Sequence, residues 1–201
     1  MRQVQSFLSI IFSGLVLLHA IVASAQHNQV KWAVQKNSTL CVQGSSNVNN
    51  FTCSVSSLAS YDTIVVLNNA VRSLALKGSI KMDVWSFDCE NNLIRKDLRK
   101  TLKAAEHPNM VIRFLTLKFM PGLTFRTEQI SGCVEVELAG VKKVFDLQYT
   151  FTKTANGFIR LNGGRKFCFS DFSLTPPRKL AGLVKIRDDF NVKFELMLKP
   201  V

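Results

Sequence analysis

Little in this sequence suits chemistry at a metal or a nucleophile. There are three histidines in 201 residues, and none of the five cysteines stands at CxxC spacing. A zinc site or a dithiol redox motif is therefore not expected. GxSxG, HExxH and phosphate-cradling glycine loops are all missing. Acid–base work would fall on carboxylates, and the best placed, Asp171, Asp188 and Asp189, read as turn or strand-end charges. His107 precedes Pro108 and reads as a solvent-facing or capping turn residue. Acidic residues are in deficit, with 14 Asp and Glu against 26 Lys and Arg and a net charge of +12. No low-complexity linker and no repeat of fixed period divides the chain. Only one apolar run approaches the length of a membrane span, and it is the N-terminal one.

That run has the three parts of a cleaved export signal. Arg2 supplies the positive end, residues 7–22 are apolar, and Ala23-Ser24-Ala25 is a small-x-small cleavage box. The expected organisation is a signal peptide at 1–25 and one exported domain at 26–201, long enough for a sizeable core. Cys41 lies too far downstream to be a lipid-attachment cysteine. The densest basic groups, Arg95-Lys96-Asp97-Leu98-Arg99-Lys100 and Arg178-Lys179, are small. The basic balance reads as a solvated exterior with weak attraction to anionic lipid headgroups, and no nucleic-acid partner is expected. In an oxidising compartment the cysteines are free to pair. Cys53 and Cys89 both end strand-like runs beside polar loops, so a Cys53–Cys89 disulfide is expected. Cys41, Cys133 and Cys168 lie within strand patterns and read as small packing residues. The sequons at Asn37 and Asn50 carry no weight.

Most of the chain alternates with period two. Strands are expected at 39–44, 50–55, 64–67 and 78–87, the last with Ile80, Met82 and Val84 on one face and Lys81, Asp83 and Trp85 on the other. Residues 68–76 read equally as strand or helix. One basic helix is expected at 97–105, with Leu98, Leu102 and Ala105 as its apolar stripe and Pro108 beyond its end. It either lids a barrel mouth or covers a strand edge. Beyond it, Val134, Val136 and Leu138 face away from Glu135 and Glu137. Phe145, Leu147, Tyr149 and Phe151 form the next apolar face, and Ala155-Asn156-Gly157 signals a hairpin. Phe167, Phe169, Phe190, Val192, Phe194, Leu196 and Leu198 continue the pattern. About eight strands with one apolar face each suit an up-and-down antiparallel barrel, all-β, enclosing one elongated ligand.

These segments resemble the YceI-like family of exported polyisoprenoid-binding barrels, and look most like its branch common in Bacteroidetes. The resemblance rests on the ordered set Gly44-Ser45-Ser46-Asn47-Val48-Asn49-Asn50-Phe51-Thr52-Cys53, Phe87-Asp88-Cys89 with the following helix and Pro108, Val136-Glu137-Leu138-Ala139-Gly140-Val141, and Phe169-Ser170-Asp171-Phe172 through Pro176-Pro177 to Asp189-Phe190 and Phe194. It implies an extended lipocalin-like, eight-stranded antiparallel barrel with one inserted helix, a periplasmic address, an isoprenoid tail such as a quinone's in the interior, and no enzymatic activity or cofactor. From the inward phase of the strands, the expected lining is Val136, Leu138, Phe145, Leu147, Tyr149, Phe151, Phe167, Phe169, Val192 and Phe194. Asn47, Asn49, Arg95 and Arg99 are the expected headgroup partners at the mouth. The same inward faces also fit a filled barrel without ligand, acting as a structural or interaction module.

Overall fold

Strand alternation closes into a ring. The structure, a computed structural model, describes residues 29–56, 62–67 and 73–201; the expected signal peptide lies outside them. The strands are β1 (Val30–Val34), β2 (Thr39–Ser46), β3 (Asn50–Val55), β4 (Thr63–Leu67), β5 (Leu74–Lys77), β6 (Ser79–Asp83) and β7 (Asp88–Cys89). Helix α1 (Asn92–Thr101) follows, then β8 (Asn109–Leu117), β9 (Glu128–Leu138), β10 (Val141–Lys153), β11 (Ile159–Cys168), β12 (Arg178–Lys179) and β13 (Val184–Pro200). Eight of them close in the order β1-β4-β5-β8-β9-β10-β11-β13, with β13 returning to β1 through Trp32↔Pro200 and Val34↔Leu198. Every pairing is antiparallel.

Within the ring the up-and-down order holds for β4–β5 and for β8 through β11 and breaks elsewhere. The reason is the length of β13, 17 residues. One edge of β13 pairs with β11 along ten positions. The other edge is shared: its C-terminal end holds β1, and its N-terminal part holds β2 from Glu195 to Ile186, with a bulge between Ile186 and Phe190. The hairpin β2–β3 and the two-residue β7 therefore branch from the ring as a flap. On the far side β6 pairs with the first half of β8. A 3-10 turn at Val84–Ser86 joins β6 to β7, and α1 follows beside this gap.

Helix α1 begins five residues before the expected start. Asn91 caps it, its side chain accepting from the Leu93 N–H at 2.7 Å, a role that asparagine fills well. It ends before Pro108 because Lys103 turns left-handed at φ 51. The inward stripe is consequently Ile94, Leu98 and Leu102, followed by buried Ala104; Ala105 is exposed. The Cys53–Cys89 disulfide is present, joining directly paired residues of β3 and β7. Cys41, Cys133 and Cys168 are half-buried and outward in phase, so they are not core packing residues. The Cys133 thiol donates to Asp146 at 3.0 Å, and that bond raises its pKa. The outer face of β9 is as expected: Glu135 and Glu137 both accept from Arg113 of β8 at 2.8 Å.

Candidate functional site

The interior divides into two halves of different density, and two glycines explain the difference. In the half away from α1, Gly132 and Gly163 lie in the inward phase. A Cβ on Gly132 would collide with the Tyr149 ring and the Thr116 carbonyl, and one on Gly163 with the Phe194 ring. The two rings occupy the space these glycines leave. Tyr149 sits 6.2 Å from Phe194, 6.5 Å from Phe114 and 6.3 Å from Phe151, which in turn packs 5.9 Å from Trp32. This half is a solid aromatic core.

Tyr149 lies at its centre. Its ring is fully buried, its hydroxyl has no hydrogen-bond partner among the described residues, and burial pushes its pKa upward. An unsatisfied buried hydroxyl costs about 1–3 kcal/mol. Tyr149→Phe keeps the ring and removes the orphan group. It is expected to raise the melting temperature by roughly 2–12 °C, which thermal unfolding followed by circular dichroism would measure; a lowered value would show that the hydroxyl is satisfied.

Toward α1 the interior opens into an apolar cavity of about 80 Å3. Val136, Leu138, Phe167, Phe169 and Val192 line it, together with Phe190. Phe51, Cys53, Leu40 and Val42 complete its wall from the β2–β3 flap, and Leu98 and Leu102 close it from the helix side. Two smaller cavities share its walls. One of about 10 Å3 adjoins it at Leu40 and Ile112 and is bounded by Phe114 and Phe194. The other, of about 50 Å3, lies directly under α1, between Ile94, Leu98 and Thr101 on the helix and Pro177 and Ile186 opposite. They form an apolar row from the edge of α1 to the dense half.

Of the ten residues expected to line the interior, five border the main cavity and Phe194 borders the small one. Phe145, Leu147, Tyr149 and Phe151 are buried but border none of these cavities. Strand phase sets which face is inward but not the depth along the barrel. Phe145 stands behind the wall, edge-on to Phe167 at 4.8 Å and 5.8 Å from Phe172. Arg165 caps it from the other side at 5.1 Å. Leu98 and Leu102 were read from the sequence as the helix's apolar stripe, but the flap residues were not assigned to the interior. Alternation within 39–44 and 50–55 carried the signal for Leu40, Val42, Phe51 and Cys53.

The four residues expected at the mouth all bond other groups of the chain. Asn47 donates to the Leu183 carbonyl at 2.9 Å and accepts from the Lys185 N–H at 2.8 Å. Asn49 accepts from Ser46 at 2.9 Å. Arg95 pairs with Asp88. Arg99 donates to the Trp85 carbonyl at 2.9 Å and lies over the Trp85 ring at 4.8 Å. Lys179 pairs with Asp97 and ties the β12 segment to the helix. No residue of α1 itself is fully buried.

The carboxylates considered for acid–base work stand outside the cavities. Asp171 accepts from Lys143 at 2.6 Å and from the Cys168 N–H at 2.9 Å, and these bonds hold its pKa below the usual range. Asp188 accepts from Ser170. Asp189, bonded to Lys166 and Arg187, is also lowered, as is Glu137 beside Arg113. A carboxylate lowered in the folded state adds stability above its unfolded pKa and loses it as pH falls through the folded value. These groups therefore give a flat melting temperature from neutral pH down to about 5 and a decline below about 4, testable by unfolding scans across that range. A decline confined to pH above 5 would contradict it.

Among solved structures, the chain is similar to a polyisoprenoid binding domain from Saccharophagus degradans implicated in plant cell wall breakdown: 16% identity, TM-score 0.63, covering 85% of this chain and 98% of that one. It is similar also to BcnA of Burkholderia cenocepacia, with 14% identity, TM-score 0.58 and coverage of 80% and 95%. A Campylobacter jejuni YceI protein matches at 19% identity and TM-score 0.50, over 70% of this chain and 81% of that one. At these identities the likeness establishes the fold. No curated protein matches significantly. The model of the YceI-like domain matches residues 22–198, nearly the whole chain, and the protein belongs to the YceI-like family.

Proposed function

We propose that this protein is an exported, non-enzymatic carrier that holds a polyisoprenoid, or a similar amphiphilic lipid, in the barrel half beneath α1. The observation that carries the reading is the row of apolar cavities walled by Phe, Leu, Ile and Val side chains and closed by Leu98 and Leu102. A hydrocarbon chain is driven into such a lining by roughly 25 cal/mol per Å2 of apolar surface removed from water, with no special chemistry. The polyisoprenoid binding domain among its structural relatives supports the ligand class. The N-terminal export signal and the engaged cysteine pair support a periplasmic address.

The main cavity, about 80 Å3, is smaller than the roughly 150 Å3 that accommodates a benzene ring. A long chain enters only if the wall opens. Helix α1 is the wall best suited to open, because it buries no residue fully and is held by exposed ion pairs and one stacked arginine. The filled-barrel reading draws on the dense half around Tyr149, which has no room for a ligand. Native mass spectrometry and lipid extraction of protein purified without detergent distinguish the two. A co-purifying isoprenoid of defined mass supports the carrier, and a protein that neither co-purifies with nor takes up isoprenoids supports the module.

A further inference from the structure

The end of the barrel that carries α1 has an exposed surface that the ligand cavity does not account for. Five large apolar side chains there, Val48, Trp85, Leu93, Leu180 and Leu183, stand between 49% and 74% exposed. They belong to separate segments that contacts join into one rim. Asn47 bonds both Leu183 and Lys185, fixing the β2–β3 turn to the loop before β13. Lys179 pairs with Asp97, fixing that loop to α1, and Arg99 stacks on Trp85. The rim encircles the helix that covers the cavities.

The loop that carries the two leucines adopts an unfavourable backbone to do so. Leu180, Ala181 and Gly182 are consecutive at φ 51, 54 and 92, and the first two lack glycine's freedom there. Left-handed backbone at non-glycine residues is strained; here two such residues in succession present leucines to water, whereas the opposite end has the single Leu123 at φ 48. Interspersed with the apolar rim are Lys96, Arg99, Lys100, Lys103, Arg178 and Lys185, none in an ion pair with a described residue. Four carboxylates nearby in the chain, Asp83, Glu90, Glu106 and Asp188, are likewise in no ion pair with a described residue, so the cations remain in excess. Leucine and tryptophan among unpaired cations suit a surface that is anionic outside and hydrocarbon within.

Resting on the carrier reading, we propose that this rim docks on an anionic lipid bilayer, so that the gap under α1 faces the membrane from which a lipid is taken or to which it is given. The opposite end also exposes apolar side chains, Phe119 and Phe125, but the cavity there is bordered by Gln35, Asn37, Thr154, Asn156 and Arg160 and does not join the apolar row, so that end serves as the control.

The test is flotation of exported protein, its intact mass recorded, with vesicles of phosphatidylcholine or of equal parts phosphatidylcholine and phosphatidylglycerol. Binding is expected only with phosphatidylglycerol and should weaken with salt. Leu180→Ser with Leu183→Ser should weaken it roughly tenfold, and Lys96→Glu, Lys100→Glu and Lys103→Glu together roughly a hundredfold or more. Phe119→Ser with Phe125→Ser should leave it unchanged. Circular dichroism verifies folding, and farnesol uptake is measured separately in vesicle-free solution. Farnesol uptake without vesicle binding overturns the docking face and spares the carrier. Vesicle binding without farnesol uptake supports the face and overturns the carrier. Binding indifferent to the rim substitutions, binding lost through Phe119 and Phe125, or a stable dimer that buries the leucines each overturns the proposal.

Discussion

Replacing Cys53 and Cys89 together by alanine is expected to lower stability by about 4 kcal/mol. The bond closes a loop spanning 36 positions, and the chain-entropy relation for that length gives this figure. For a domain of this size the melting temperature should fall by roughly 8–16 °C. The loss has a local component. β7 is two residues long and pairs only with Cys53 and Ser54, so without the disulfide little holds it to the flap. The segment leading into α1 is anchored there, since Asn92 follows Cys89 closely and Arg95 bonds both Asp88 and the Cys89 carbonyl. Hydrogen exchange should therefore accelerate in residues 84–101 more than in β9 and β10. A melting temperature within about 2 °C of the parent would contradict the calculation. Uniform loss of protection would contradict the local role.

The disulfide, the barrel and most strand faces were legible in the sequence because each depends on short-range pattern. Alternation in 134–138 and 145–151 sets which side chains face inward whatever the neighbouring strands are. Cys53 and Cys89 were recognisable because each lies close to a polar loop, although Cys53 is the fourth residue of β3 and only Cys89 ends its strand. The order of strands was less legible. Nothing local in 184–200 states that one edge of β13 will be divided between β1 and β2; that follows from closing the ring in three dimensions. The helix was recognised but displaced, because its apolar stripe was read forward to Ala105 while Asn91 and the left-handed Lys103 set its ends.

The inward face was legible in the sequence, but its division into cavity wall and core was not. Phe145 to Phe151 and Phe190 to Leu198 share one inward phase, yet half of that face is core. The distinction depends on what stands opposite, and the opposing residues are glycines. Gly132 and Gly163 let Tyr149 and Phe194 settle across the interior, whereas near α1 the strands splay. β10 and β11 pair from Lys153 to Gln148 and no further, and Phe172 enters beside Phe145 and Phe167. The expected headgroup residues show a similar shift. Asn47, Arg95 and Arg99 stand at the end of the barrel that carries α1, with polar groups bonded to other residues of the protein.

That division of the interior sets up a contrast between two enlargements of the same kind. Val192 borders the main cavity and is only half-buried, while Leu147 is 6% exposed and borders no cavity. An added indole at Leu147 must displace packed atoms, and overpacking costs typically 1–3 kcal/mol or more. Leu147→Trp is expected to lower the melting temperature by roughly 4–10 °C. Val192→Trp projects the same indole into the cavity, where it meets fewer atoms and fills the space a lipid chain would take. It should melt within about 3 °C of the parent and lose isoprenoid uptake, measured by titration with farnesol. The readouts separate the readings because a filled barrel has no reason to treat the two sites differently. Severe destabilisation by both substitutions would mean that the half beneath α1 is packed as tightly as the half around Tyr149. Unchanged uptake by a folded Val192→Trp variant would move the ligand out of the main cavity and toward the space between Ile94, Pro177 and Ile186.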